Sequence, residues 1–514
     1  MPKSVKKRSN KMSNGIFRRK SLQKVMADSE SGHSLKRVLG PWALTALGIG
    51  AIIGTGIFVL VGKAARDVTG PALMLSFVFA GLACIFSALC YAEFASMAPV
   101  AGSAYTYAYL TLGELMAWII GWDLVLEYAV ASCTVAHGWS KYFQDILKQF
   151  EFHIPTALTN APFDIAKGGE IVSTGSILDL PAVAISLIIT FILVRGIRES
   201  AFINGIMVVV KLAVVFFVII AGIPHIVTSN WTDNFAPFGY GGLSFFGTLV
   251  WGDINPATNA PSGVLAGAAL IFFAYLGFDA VSTNAEEAKN PKRDMPFAII
   301  GSLLICTVLY IAVAAVLTGM VNYKDIPKEA PVANVFAQVG MPWARLLVSI
   351  GALTGITSVL LVMMCGQPRI FLAMARDGLL PEKFFASVHP VYQTPWLATM
   401  LTGLLVALGG SLLPLDVLAE LTNIGTLFAF VVVCAAVLIL RFKDPNAPRS
   451  FKAPLGLFCP IGGIVLCLVL MFSLGWENWV RLFIWLGIGL AIYFVYGFHH
   501  SKLRIEDNNL AKKL

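Results

Sequence analysis

Apolar runs of about 20 residues recur along almost the whole chain, and that is the length of helix needed to cross a hydrocarbon layer about 30 Å thick. Backbone amides cannot be left unpaired in hydrocarbon, so such runs must close their hydrogen bonds internally, as helices. Twelve are read from the sequence, roughly at 43–62, 72–97, 113–138, 179–195, 202–223, 264–285, 296–318, 346–371, 395–412, 417–440, 460–474 and 480–498. The fourth, ninth and eleventh are short. The expectation is an all-α integral membrane protein of about twelve transmembrane helices.

Composition points the same way. Hydrophobic residues make up 57% and charged residues 13%, where soluble domains hold about 45–50% and about 25%. This excludes a soluble globular enzyme, a disordered chain, a coiled coil and a disulfide scaffold. The net charge of +8 is unevenly placed: the first 42 residues carry Lys3, Lys6, Lys7, Arg8, Lys11, Arg18, Arg19, Lys20, Lys24, Lys36 and Arg37 against Asp28 and Glu30. With no recognition module and with apolar spans directly after it, this tail reads as a cytoplasmic flank facing anionic lipid, not as a nucleic-acid binder. Within it Ile16, Phe17, Leu22, Val25 and Met26 alternate with bases at nearly helical spacing, which suits either a short interfacial helix or a disordered basic tail. The N-terminus does not read as a secretory signal.

Lys and Arg also set the orientation. With both termini cytoplasmic, about 27 of the 37 lie in the tails and internal connections, about nine lie outside, and one lies within a span. Arg195/Arg198, Lys289/Lys292/Arg293, Arg369/Arg376/Lys383 and Arg441/Lys443/Arg449/Lys452 mark four internal connections, whereas 224–263 has no Lys or Arg. The eight cysteines include no CxxC or Cys/His metal spacing and read as small hydrophobes. No nucleophile elbow, metal motif or nucleotide loop occurs, so no catalytic or metal-binding residue is assigned.

Two spans depart from a plain apolar helix. The first reads LTALGIGAIIGTGIFVLVG and the sixth GVLAGAALIFFAYLGFDAVST. Gly48 and Gly267 suit close helix packing. Gly54-Thr55-Gly56 instead predicts unwinding: amide N–H groups at the start of the second half-helix suit a carboxylate, and the freed carbonyls of Ile52 and Ile53 suit an ammonium. Around Ala274-Tyr275-Leu276-Gly277 the sixth span offers similar carbonyls, from Phe273, Ala274 and Leu276. Paired breaks in two halves point to an inverted-repeat carrier.

The strings GIGAIIGTGIFVLVG, CYAEFASMAPVAGSAYTYAY, GWDLVLEY, FFAYLGFDAVSTNAEEAKNPKRDMP and LAMARDGLLP resemble the amino acid–polyamine–organocation superfamily, in its bacterial cationic-amino-acid-transporter-like branch. The resemblance implies a LeuT-like fold with spans 1–5 and 6–10 as inverted repeats and two further spans. On it the chain divides into a basic tail (1–42), a first repeat (43–223), an external loop and second repeat (224–440), spans 11 and 12 (441–498) and a C-terminal tail (499–514). It also implies secondary transport of L-amino acids, protons rather than sodium as the coupling ion, and a bacterial cytoplasmic membrane. No other cofactor is expected, and a small membrane accessory subunit is left open.

Lys211 is the one cation in mid-span. A lysine at helix centre costs roughly 2.5–3.5 kcal/mol, so it is expected to face protein. Burial penalises the charged form of an amine, which makes proton release during a cycle feasible. In the resembled branch the fifth-span lysine takes the place of a sodium ion, which would tie Lys211 to the unwound first span. Asp123 and Glu127 lie four apart, on one helical face, as further proton-relay candidates or as partners for a base or amide. Glu93, Glu420 and Asp279 have similar alternatives, and His137 has no acidic or histidine cluster near it in sequence. Glu286, Glu287, Arg293 and Asp294 read either as ion pairs that remake when the inward face opens or as a plain flank. The resemblance places Met363 beside the substrate side chain, where a bulky apolar group disfavours a guanidinium. Ordinary packing is its alternative.

The reading is therefore a proton-coupled symporter for L-amino acids, small neutral ones such as alanine being favoured. Carboxylate binding falls to Thr55 and Gly56, and ammonium binding to Ile52, Phe273, Ala274 and Leu276. An exchanger or cationic uniporter of the same fold is the alternative; a pore or sensor is the remaining class.

Overall fold

A computed structural model describes residues 16–21, 39–98, 100, 102–165, 171–246, 248–255 and 260–513. Helices occupy the positions of the apolar runs. They are α1, in two halves, Pro41–Ile52 and 56–69; α2, Leu73–Met97; α3, Glu114–Gln149; α4, Leu180–Arg195; and α5, Ile197–Gly222. The series continues with α6, also in two halves, 264–275 and Asp279–Glu287; α7, Pro291–Met320; α8, Pro342–Arg376; α9, Trp396–Leu412; α10, Leu415–Lys443; α11, Phe458–Ser473; and α12, Trp476–Ile492. Among the described residues eight helical segments are long and apolar enough to cross a membrane, one of them holding both α1 and α2; α4, α9 and α11 are apolar but shorter.

Local chemistry sets several of these ends. Asp179 caps α4 by accepting from the Ala182 amide at 3.2 Å, with Pro181 in the first turn. Before α3, Gly113 sits at φ +107°, and a side chain there would meet the Phe17 backbone at 2.6 Å. Both α3 and α8 run longer than their apolar stretches suggest. Their added turns are tied together by Asp145, which pairs with Arg345 at 2.5 Å and accepts from Ser349 at 2.9 Å.

Packing follows a regular pattern: α2 lies against α7, α3 against α8 and α4 against α9. Each partner is thus five helices further along. The broken middles of α1 and α6 also meet, because a Cβ on Gly56 would stand 2.2 Å from the Cα of Ala274. At one end Leu39 forms a backbone bridge with Ala288, which joins the start of α1 to the end of α6. At the other end three short antiparallel hairpins decorate the loops, and Gly263 bonds back to Val68 at 2.9 Å. Aliphatic residues face outward on α5, α7 and α9, Val209 being 68% exposed and Val308 66%. An outer face of that kind suits lipid.

Two expectations need correction. Ile16 and Phe17 form a turn, and residues 18–21 continue without helix, so the described part of the basic segment is not an interfacial helix; Leu22, Val25 and Met26 lie outside the described residues. The turn is held by bonds from the Leu115 and Glu114 amides to Ile16 and Arg18, and by Lys20 on Asp377 at 2.7 Å. Tertiary partners, not amphipathic spacing, decide its backbone. Arg369 is likewise no loop residue: it sits within α8, 7% exposed.

Candidate functional site

The first half of α1 ends at Ile52, with Ile53 extended (φ −75°, ψ 107°), and helix resumes at Thr55. The interruption thus falls at Ile53 and Gly54, one residue before the expected position. Neither Gly54 nor Gly56 has positive φ. Their value is close approach: a Cβ on Gly54 would meet Val359 at 2.5 Å. In α6 the break comes at Leu276 (ψ 140°) and Gly277, whose φ of +106° does need glycine.

Each break frees carbonyls that an unbroken helix would satisfy. Lys211 supplies donors for two of them, Gly50 at 2.7 Å and Ile53 at 2.9 Å, and a third bond goes to the Ser358 hydroxyl at 2.8 Å. An ammonium has three N–H donors, and all three are met. Lys211 is fully buried. On α7 the Tyr310 hydroxyl lies 2.8 Å from the Ile52 carbonyl and 2.9 Å from that of Ala274, so one phenol bridges both breaks.

Between the breaks lies a small cavity lined by Ala51, Ile52, Thr55, Gly56, Ala131, Val135, Phe273, Leu276, Val359 and Met363. About 10 Å³ of it is open to the centre of a water molecule, room for about one water. Admission of anything larger requires the halves to part. Thr55 contributes the one polar side chain, its hydroxyl buried and without a hydrogen-bond partner among the described residues. All other lining side chains are apolar and none is acidic, so the lining offers no counter-charge to a guanidinium or ammonium side chain.

Of the expected site residues, Ile52, Thr55, Gly56, Phe273, Leu276 and Met363 border this cavity, whereas Ile53, Gly54 and Ala274 stand beside it. The Ile53 carbonyl is turned to Lys211. The carbonyls of Ile52 and Ala274 already accept from Tyr310, and that of Phe273 from the Leu276 amide at 3.3 Å, so each has one lone pair left. Sequence reasoning missed Ala51, Ala131, Val135, Val359, Ser358 and Tyr310. A phenol in the middle of an apolar span was a usable signal for Tyr310, since its hydroxyl must find an acceptor.

Asp123 and Glu127 are both buried, and their carboxylate oxygens have no hydrogen-bond partner among the described residues. A wide π-turn over Leu126–Val130 carries Glu127, just after the α-helical turn that carries Asp123. The charged neighbours of Glu127 are Asp279 and Asp123. Asp279 accepts from Tyr128 at 2.7 Å. His137, which has no acidic neighbour in sequence, has one in space: Asp179 lies 3.7 Å from its Nδ1. Glu93 pairs with Arg441 and, at 3.1 Å, with Arg449, and also accepts from the Ala453 amide, a structural clamp on the 444–457 connection. Glu420 meets Arg481 at 3.4 Å. Glu287 pairs with Arg369 across to α8 at 2.9 Å instead of within its own loop, and Asp294 accepts from the Asn290 amide at the start of α7.

A sequence model described as amino acid permease matches residues 39–495. The chain is similar to the branched-chain amino acid permease BcaP of Bacillus subtilis (strain 168), at 48% identity over 493 residues, 96% of this chain and 100% of that protein. It is similar to the methylthioribose transporter of the same strain, at 45% over 488 residues, 95% of this chain and 99% of the relative. Against the vacuolar cationic amino acid transporter 4 of Arabidopsis thaliana the identity is 38% over 434 residues, 84% of this chain and 68% of the relative.

Proposed function

The chain belongs to the amino acid permease family of the amino acid–polyamine–organocation superfamily, a transporter and not an enzyme, and on that premise we propose that it takes up neutral L-amino acids by proton symport across a bacterial cytoplasmic membrane. Substrates run from alanine to the branched aliphatic residues. The observation that carries this reading is the pair of helix breaks facing each other across a cavity whose side chains are apolar apart from Thr55. Carboxylate falls to the Thr55 and Gly56 amides, at the positive end of the second half of α1. Ammonium falls to the remaining lone pairs of Ile52, Phe273, Ala274 and Leu276. Met363 and Val359 then meet the side chain, which supports a neutral substrate, as does the branched-chain amino acid permease among the relatives.

Twelve helices with cytoplasmic termini and two inverted five-helix repeats complete the proposal. The packing of each of α2, α3 and α4 against the helix five further on supports the repeat, and the Lys and Arg distribution supports the orientation. Lys211 is the coupling group: its three bonds hold α5 to the broken α1 and to α8, and loss of its proton would remove one of the three donors and the charge that strengthens the others. Glu127 and Asp123 are second candidates for the proton path.

The test is uptake of labelled L-alanine and L-valine into proteoliposomes under an inward proton gradient without sodium, with L-arginine in parallel. Accumulation of the neutral substrates that a protonophore collapses is the expected result. Uptake only into vesicles preloaded with amino acid would instead make the protein an exchanger.

A further inference from the structure

A second cavity lies toward the end of the bundle where α1 begins and α6 ends, the cytoplasmic end in the topology proposed above. Its volume is about 150 Å³, against about 10 Å³ for the central cavity. Leu39, Ala43, Leu47, Leu361 and Val362 make its walls apolar. Its polar groups converge from three helices: Asn204 on α5, Thr283, Asn284 and Glu287 on α6, and Arg369 on α8, which pairs with Glu287 at 2.9 Å and donates to the side-chain amide oxygen of Asn284. Arg369 is 7% exposed and Glu287 9%. Leu47 and Ala51, which line the second and first cavities, are four residues apart on α1, and Met363 and Arg369 are six apart on α8. The two cavities are therefore one to two helical turns from each other along the same helices.

From this arrangement we propose that the second cavity is a binding site for an L-amino acid on its way to the cytoplasm, with Arg369 taking the carboxylate and Glu287 the ammonium. The inference rests on the amino acid reading given above. A zwitterion carries one charge of each sign a few bonds apart, and inserting it between guanidinium and carboxylate replaces one buried ion pair by two. No charge is left uncompensated at any point, which matters because an unpaired buried charge is heavily penalised. The planar guanidinium suits a bidentate carboxylate, and the walls from Leu47 and Leu361 suit an aliphatic side chain. Occupation also parts Glu287 from Arg369, and so loosens α6 from α8 at the moment the substrate leaves.

Equilibrium binding of labelled L-valine and L-alanine to the reconstituted full-length protein tests this. Two sites per chain are expected in the wild type. The double variant E287Q/R369Q, which keeps an amide pair and leaves no lone charge, should bind one per chain with the remaining affinity changed less than twofold. G56A, which closes the central cavity, should retain the other. One site in the wild type overturns the second site irrespective of how the variants fold, as do two sites in E287Q/R369Q. One site in the wild type leaves the transport reading standing; absence of saturable binding by either amino acid overturns both.

Discussion

Lys211 and Ser358 share an acceptor: the ammonium lies 2.7 Å and the hydroxyl 3.0 Å from the Gly50 carbonyl oxygen, with 2.8 Å between the two donors. Three helices, α1, α5 and α8, meet at that oxygen. The break in α1 is thus stabilised by side chains that an unbroken helix would not need.

Replacing Lys211 by Ala takes the donor from the Ile53 carbonyl and leaves Gly50 with Ser358 alone. An unsatisfied buried carbonyl costs about 1–3 kcal/mol. We expect K211A to lose at least tenfold of gradient-driven accumulation. Uptake by K211A that still follows the proton gradient as in the wild type would remove Lys211 from the coupling.

Tyr310 is the residue whose hydroxyl spans both breaks, so Y310F tests their coupling with almost no change in volume. The ring keeps its edge contacts with Phe77 and Tyr275, while the Ile52 and Ala274 carbonyls lose their shared donor, again at about 1–3 kcal/mol. Uptake should fall several-fold, with the thermal midpoint of the purified protein lowered by a few degrees. Unchanged uptake would mean that the bridge is dispensable.

Glycines near the site should differ sharply in tolerance. A methyl at Gly56 would stand 2.2 Å from the Ala274 backbone, whereas at Gly301 its nearest neighbour is Thr45, at 4.0 Å. G56A should abolish uptake while G301A stays near wild type, both read against the amount of protein in the membrane.

Met363 lines the central cavity together with Val359 and Val135. M363A removes apolar volume there, and competition assays should show bulkier neutral amino acids gaining on alanine by about tenfold, the worth of 1–2 buried methylenes. An unaltered competition profile would place Met363 in ordinary packing.

The all-helical, membrane-spanning character of the chain, the positions of the helices and, to within a residue or so, both breaks were legible in the sequence. Each rests on a local quantity: the length of an apolar run such as 202–223, or a glycine-rich interruption such as Gly54-Thr55-Gly56. Hydrophobic transfer adds up along a run whatever lies next to it, so the run announces itself. Lys211 was legible too, because a lysine in mid-span has to find protein. Its acceptors were not, and neither were the Tyr310 bridge, the Glu287 to Arg369 pair and Asp179 beside His137. Those relations join residues 161, 258, 82 and 42 positions apart. A buried polar group must be satisfied by whichever helix adjoins it, and which helix adjoins is decided only when the chain has packed.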